Sequence, residues 1–147
     1  MPDPALNVPR RSPALVFLTT GTGLVVLLWL SSEDTGLIRP VLAGLALSGV
    51  ILVNLAVNRF GGRACSPGRL VIGYAVLGSA GGVFTSLLTA LLMLLKTTLH
   101  GHPQGDFPLP ILGAILAHAP AWGLAGLFIG AGLGLLWIGL KPGRPSE

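Results

Sequence analysis

The sequence predicts an all-α integral membrane protein, a bundle of four transmembrane helices whose two termini both lie in the cytoplasm. Three observations lead to this fold class. Charged residues make up only 10% of the 147 residues, whereas a soluble domain carries about 25%. The apolar residues are gathered into four long stretches. The charges lie almost entirely between these stretches, and the basic ones are sorted by side.

The distribution of basic residues predicts the orientation of the bundle. Arg39 and Lys96 are expected on the outer side, and the other basic residues are expected on the inner side. The inner group comprises Arg10, Arg11, Arg59, Arg63, Arg69, Lys141 and Arg144. Basic residues in short loops remain cytoplasmic, so both termini are expected inside the cell. Tryptophan and tyrosine prefer the headgroup level, and their positions at the ends of the stretches agree with this topology.

The first two spans are expected over residues 14–30 and 41–57. The first is close to the minimum length for crossing a hydrocarbon core of about 30 Å. The arginine pair before it is typical of a signal peptide, but residues 31–34 contain no Ala-x-Ala cleavage site, which favours a retained helix. The second span follows Pro40, a residue that is tolerated in the first turn of a helix.

The third and fourth spans are expected over residues 70–95 and 121–140. The third is long enough to cross with some tilt. The apolar stretch that contains the fourth begins near Leu109 and is too long for one straight span. We therefore expect residues 111–119 to form a short helix or turn at the outer interface. The alternative is one long helix kinked at Pro120, since neighbouring helices can satisfy a carbonyl that a proline leaves unpaired.

Short loops leave no room for a second domain, so residues 1–147 are expected to form one membrane domain. The tails at residues 1–9 and 142–147 are expected to be disordered. Cys65 is the single cysteine, which excludes an intrachain disulfide and a Cys-x-x-Cys redox or zinc motif. The net charge of +4 comes from residues that bracket apolar segments, so no nucleic-acid partner is expected.

Small residues spaced four apart predict how the helices associate. Lipid is as apolar as the helices, so association in a membrane depends on close backbone packing and interhelical hydrogen bonds. The fourth span repeats glycine every four residues, and shorter repeats occur in the second and third spans. We assign this glycine-zipper pattern to packing within the bundle, with a self-association face as the alternative. The positions are Gly44, Ser48, Gly78, Gly82, Gly126, Gly130 and Gly134.

The outer loop before the fourth span contains the main polar cluster. It holds His100, His102 and Asp106, and His118 follows further along. Imidazole and carboxylate groups are ligands that suit zinc and copper. A His-x-His pair in a loop rich in glycine and proline is less pre-organised than two histidines one helical turn apart. These four residues are candidate metal ligands, with a solvated loop as the alternative, and we expect no bound cofactor.

No pattern in the chain predicts a particular reaction. An ion-coupled carrier normally keeps an ionisable residue inside the membrane, and the expected spans contain none. The sequence therefore favours a non-enzymatic structural or accessory subunit in a bacterial cytoplasmic membrane. Its expected partners are the lipid bilayer and either another membrane protein or copies of itself. The alternatives are a small channel or transporter, with a neutral pore lined by hydroxyls, and a metal-dependent enzyme on the outer face.

Overall fold

The computed structural model describes residues 6–7, 12–33, 36–62, 64–101 and 106–140. Four of its segments are long and apolar enough to cross a membrane, with the last two helices counted as one segment. The predicted all-helical chain with four long apolar helices is therefore confirmed. The five helices are α1 (Pro13–Leu30), α2 (Ile38–Phe60), α3 (Pro67–His100), α4 (Leu109–Ala117) and α5 (Ala119–Gly139).

Two very short strands accompany the helices. β1 (Leu6–Asn7) pairs in antiparallel fashion with β2 (Ala64–Cys65), so that Leu6 lies opposite Cys65. β1 belongs to the tail at residues 1–9, which was expected to be disordered. In the structure it pairs with β2, in the loop between α2 and α3. The rest of that tail and the whole tail at residues 142–147 lie outside the described residues.

The ends of the helices follow from local sequence. Ser12 caps α1 by accepting a hydrogen bond from the backbone N–H of Leu15 at 3.3 Å, and a proline occupies the first helical turn. A proline also opens α3, after Ser66 in extended conformation. α3 ends at Gly101, whose φ of 60° lies in the left-handed region that glycine adopts without a steric penalty.

α3 is longer than the sequence predicts. It continues five residues past position 95, where the third span was expected to end, and reaches His100. Its 34 residues correspond to roughly 51 Å, well beyond a hydrocarbon core of about 30 Å. Lys96, which was expected in the outer loop, is therefore a helical residue, and its side chain is completely buried.

The apolar stretch before the C-terminus divides at His118. α4 and α5 lie on either side of this residue, so the short helix expected near residues 111–119 is present and begins at Leu109. The carbonyl of His118 accepts the first hydrogen bond of α5, from the N–H of Trp122 at 3.0 Å. Pro120 has no N–H to donate, which accounts for the interruption at this point. The stretch therefore forms two helices that meet at one residue.

α3 is the central helix of the bundle. It packs most extensively against α5 and next against α2, and α1 packs against α2. Consecutive long helices run antiparallel. The apolar core of the described residues lies where the end of α1, the C-terminal half of α3 and the start of α4 meet. Its members are Val26, Trp29, Leu30, Leu92, Met93, Phe107 and Leu112.

Candidate functional site

The five predicted packing glycines of α3 and α5 lie where these two helices meet, a contact that we call the α3–α5 seam. A Cβ atom at Gly78 would overlap the carbonyl of Gly126, and a Cβ atom at Gly82 would overlap the carbonyl of Trp122. Since only hydrogen atoms separate the two backbones, no larger residue fits without moving a helix. The seam comprises Gly78, Gly82, Gly126, Gly130 and Gly134.

The two predicted packing residues of α2 lie against α3. The hydroxyl of Ser48 donates a hydrogen bond to the carbonyl of Gly81 at 2.8 Å. Gly44 lies against Thr89, so closely that a Cβ atom at Gly44 would stand 2.9 Å from the Thr89 backbone nitrogen. The hydroxyl oxygen of Thr89 is buried and has no hydrogen-bond partner among the described residues. Close approach of the two backbones, rather than hydrogen bonding, holds this part of the α2–α3 contact.

Lys96 lies on the same face of α3 as Met93 and Thr89, spaced three and seven residues from them. All three side chains are buried, and Lys96 and Met93 expose none of their surface. The Lys96 ammonium nitrogen stands 4.6 Å from the centroid of the Trp29 ring, within the range of a cation–π interaction. This contact joins the end of α1 to α3.

Lys96 was expected in a loop because charged residues normally lie between the apolar stretches. The buried site beside Trp29 was therefore not predicted. Positions 85, 89 and 96 of α3 are separated by four and seven residues, so they share one helical face. Thr85 and Thr89 are both buried on that face. The continuation of a buried polar stripe through position 96 is the signal that could have placed the lysine inside the helix.

The structure brings together two of the four candidate metal ligands. His100 Nδ1 lies 3.1 Å from Asp106 Oδ2 and 3.0 Å from the carbonyl of Lys96. His118 is exposed, and its Nδ1 lies 2.6 Å from the carbonyl of Ala114 in the preceding helix α4. His102 lies outside the described residues. Within the described ranges, no three histidine, cysteine or acidic side chains gather as metal ligands would.

His100 and Asp106 connect the end of α3 to the segment before α4. A second contact supports this connection, because the backbone N–H of Phe107 donates to the Thr97 hydroxyl at 3.3 Å. Phe107 is buried in the apolar core beside the end of α1. These contacts therefore hold the segment before α4 against the last turns of α3, next to Lys96.

An open groove of about 480 Å³ runs between α1 and α2, and we call it the α1–α2 groove. Small residues of both helices line it, among them Gly21 of α1 and Ala43 and Ala46 of α2. One end is marked by Arg39 and Trp29. Its lining consists of Phe17, Leu18, Gly21, Thr22, Val25, Val26, Trp29, Arg39, Leu42, Ala43 and Ala46. Sequence reasoning missed the groove, although small residues recur on matching faces of both helices.

Comparison with known proteins adds no relative. No protein-family model, no curated protein and no solved structure matches this chain. Three features of the described residues bear on the function: the α3–α5 seam, the buried Lys96 beside Trp29, and the α1–α2 groove.

Proposed function

We propose that this chain is an integral protein of a bacterial cytoplasmic membrane, with both termini inside, and that it acts as a non-enzymatic structural or accessory subunit of a larger membrane assembly. The membrane location is supported by the surface of the helices. Large apolar side chains point outward from each of the long helices, and Phe17 of α1 is 81% exposed. Such a surface is unfavourable in water and matches the hydrocarbon core of a bilayer.

The proposed orientation is tested by chemical labelling of cysteines in intact cells. The basic residues predict that the native Cys65 faces the cytoplasm and that position 105 faces outward. A membrane-impermeant maleimide should therefore label a Gly105→Cys/Cys65→Ser chain and leave the wild-type chain unlabelled. Permeabilised cells provide the control, since both chains should then react. Labelling of Cys65 in intact cells would contradict the proposed orientation.

The observation that carries the subunit role is the unequal packing of the helices. α3 and α5 touch backbone to backbone over the length of the seam, whereas α1 packs far less extensively and chiefly against α2. The face of α1 turned away from the groove carries Leu24, Leu27 and Leu28, and Leu28 is 70% exposed. We call these three residues the α1 ridge. A leucine ridge on a lightly packed helix offers a surface for a helix of another membrane protein.

The subunit role is tested by purifying a tagged chain in mild detergent and measuring the mass of the native complex. We expect a stoichiometric partner protein whose retention falls when the ridge is shortened by Leu24→Ala/Leu28→Ala. The matched control is Leu124→Ala/Phe128→Ala, which shortens two exposed side chains with the same spacing on α5. A chain that remains alone, or equal loss of the partner in both variants, would contradict the role.

One observation favours a second candidate, a small carrier. Ion-coupled carriers use an ionisable residue buried among their helices, and Lys96 is fully buried in α3. Purified protein in liposomes should then move a solute or proton, and Lys96→Met should abolish that movement. A matched Lys141→Met chain, changed outside the four long helices, should retain it. Equal flux in the wild-type and Lys96→Met liposomes would exclude this role for Lys96.

A further inference from the structure

We propose that the α1–α2 groove is a binding site for one anionic phospholipid, with an acyl chain along the groove and the phosphate at Arg39. The inference rests on the proposed membrane location. It goes beyond that location because it names one lipid class and one site. Three features carry it: the dimensions of the groove, the chemistry of its walls and the charge at its end.

The groove has the length of an acyl chain in one leaflet. Its α1 wall runs from Phe17 to Trp29, a rise of twelve residue steps or roughly 18 Å of helix. One leaflet contributes half of a hydrocarbon core of about 30 Å, which is about 15 Å. Trp29 and Arg39 both stand at the end that the proposed topology places at the outer surface. A chain in the groove would therefore lie parallel to the lipids of the outer leaflet.

The walls of the groove are almost entirely apolar. The α1 wall presents residues spaced three and four apart, such as Gly21, Val25 and Trp29. A Cβ atom built at Gly21 meets no other atom within 4 Å, so the space beside this glycine is open. A neighbouring helix is about 10 Å across and cannot enter a cleft that small side chains create between two helices in contact. A chain of methylene groups can do so.

One end of the groove carries a positive charge. Arg39 shares one face of α2 with Leu42 and Ala46 and lines the groove together with them. A guanidinium has five N–H donors, which lets it bind a phosphate alongside its other contacts. The start of α2 adds to the attraction, because it has no side-chain cap and no acidic residue in its first turn.

The experiment measures bound lipid by native mass spectrometry of the purified full chain. The protein is stripped of lipid and then titrated with phosphatidylglycerol or with phosphatidylcholine of the same acyl chains. We expect one phosphatidylglycerol per chain to bind about tenfold more tightly than phosphatidylcholine, the factor that corresponds to one charge-assisted hydrogen bond.

Two variants and two matched controls locate the site. Arg39→Gln should reduce phosphatidylglycerol binding to the level of phosphatidylcholine, whereas Arg59→Gln at the other end of α2 should leave the preference unchanged. Gly21→Leu should fill the groove and prevent binding of both lipids at this site. Gly23→Leu is the control, because Gly23 also has open space around it but does not line the groove. Equal effects of Arg39→Gln and Arg59→Gln, or full binding by Gly21→Leu, would overturn the proposal.

A second measurement leaves the groove unaltered, so it does not depend on these variants folding. In a Trp122→Phe/Trp137→Phe chain, Trp29 is the remaining tryptophan and lies in the groove wall. Brominated phosphatidylglycerol should quench its fluorescence more than brominated phosphatidylcholine at equal mole fraction, and equal quenching would overturn the proposal. The labelling of Cys65 and position 105 tests the proposed membrane location separately. A correctly inserted chain without a lipid preference would refute the lipid site alone.

Discussion

The α3–α5 seam and the α1–α2 groove both contain glycine, but the helices touch at the seam and leave open space in the groove. At the seam, a Cβ atom on Gly78 or Gly126 would collide with the backbone of the opposite helix. In the groove, a Cβ atom on Gly21 would meet nothing within 4 Å. The difference arises from what faces each glycine. Gly78 faces another glycine at the same level, whereas no atom of α2 reaches the space beside Gly21.

Glycine brings two helices into close contact only where the backbone of the opposite helix can also approach at that height. At the seam, both helices lack side chains at the contact, so dispersion between the two backbones replaces the missing hydrophobic driving force. Carbonyl groups then lie against Cα atoms, an arrangement that allows weak Cα–H···O contacts. In the groove only α1 offers a glycine, and the space beside it is left for another molecule.

The largest expected effect is the loss of the seam. Gly82→Leu would drive a side chain into the carbonyl of Trp122 and should lower the free energy of unfolding by about 3 kcal/mol, the upper range for overpacking. The measurement is unfolding of the purified protein in detergent–SDS mixtures. Gly73→Leu is the control in the same helix, because no atom lies within 4 Å of its added Cβ. Equal stability of the two variants would refute the contrast between seam and open positions.

The sequence could identify the glycine positions of the seam but not the residues that they contact in the opposite helix. Four-residue spacing of glycine is visible within each helix, and this spacing alone is enough to select Gly78, Gly82 and Gly126 as packing positions. Which residues face each other depends on the antiparallel register, and that register brings Gly82 to the backbone of Trp122 and Gly123. The spacing of small residues within one helix does not show which residues of the neighbouring helix lie at the same height.

The position of Lys96 could not be predicted from charge. A lysine near the end of an apolar stretch is normally the start of a loop, because its ammonium is costly to bury. Here α3 continues to His100, and the face of Trp29 covers the ammonium at 4.6 Å. That ring comes from α1, two helices earlier in the chain, so local sequence around Lys96 gives no sign of it.

The contact between Lys96 and Trp29 gives the second prediction. It holds the C-terminal end of α1 by side chains, in contrast to the backbone contacts of the seam. In a double-mutant cycle of Lys96→Met and Trp29→Leu, we expect a coupling energy of about 1 to 2 kcal/mol in unfolding, as for a desolvated cation–π pair. A coupling energy near zero would show that the two side chains contribute to stability independently of each other.

A smaller effect is expected at the other end of the α1–α2 contact, near the start of α1. The side-chain amide of Asn54 donates to the Thr19 hydroxyl oxygen at 3.0 Å, and it also donates to the Val50 carbonyl at 2.9 Å. A double-mutant cycle of Thr19→Val and Asn54→Ala should give a coupling energy of about 0.6 kcal/mol, the average for interhelical hydrogen bonds in membranes. A value as large as that of the Lys96–Trp29 pair would mean that α1 is held equally at both ends.

The smallest expected effect is in the groove itself, where filling space should cost nothing. In lipid-free detergent, Gly21→Leu should leave the free energy of unfolding unchanged or raise it by less than about 1 kcal/mol, because leucine has the higher helix propensity and meets open space. Unfolding in the same SDS series as Gly82→Leu makes the comparison direct. A loss close to that of Gly82→Leu would mean that α1 and α2 close on each other in solution. The groove would then be absent, and the contrast between the two glycine contacts would fail.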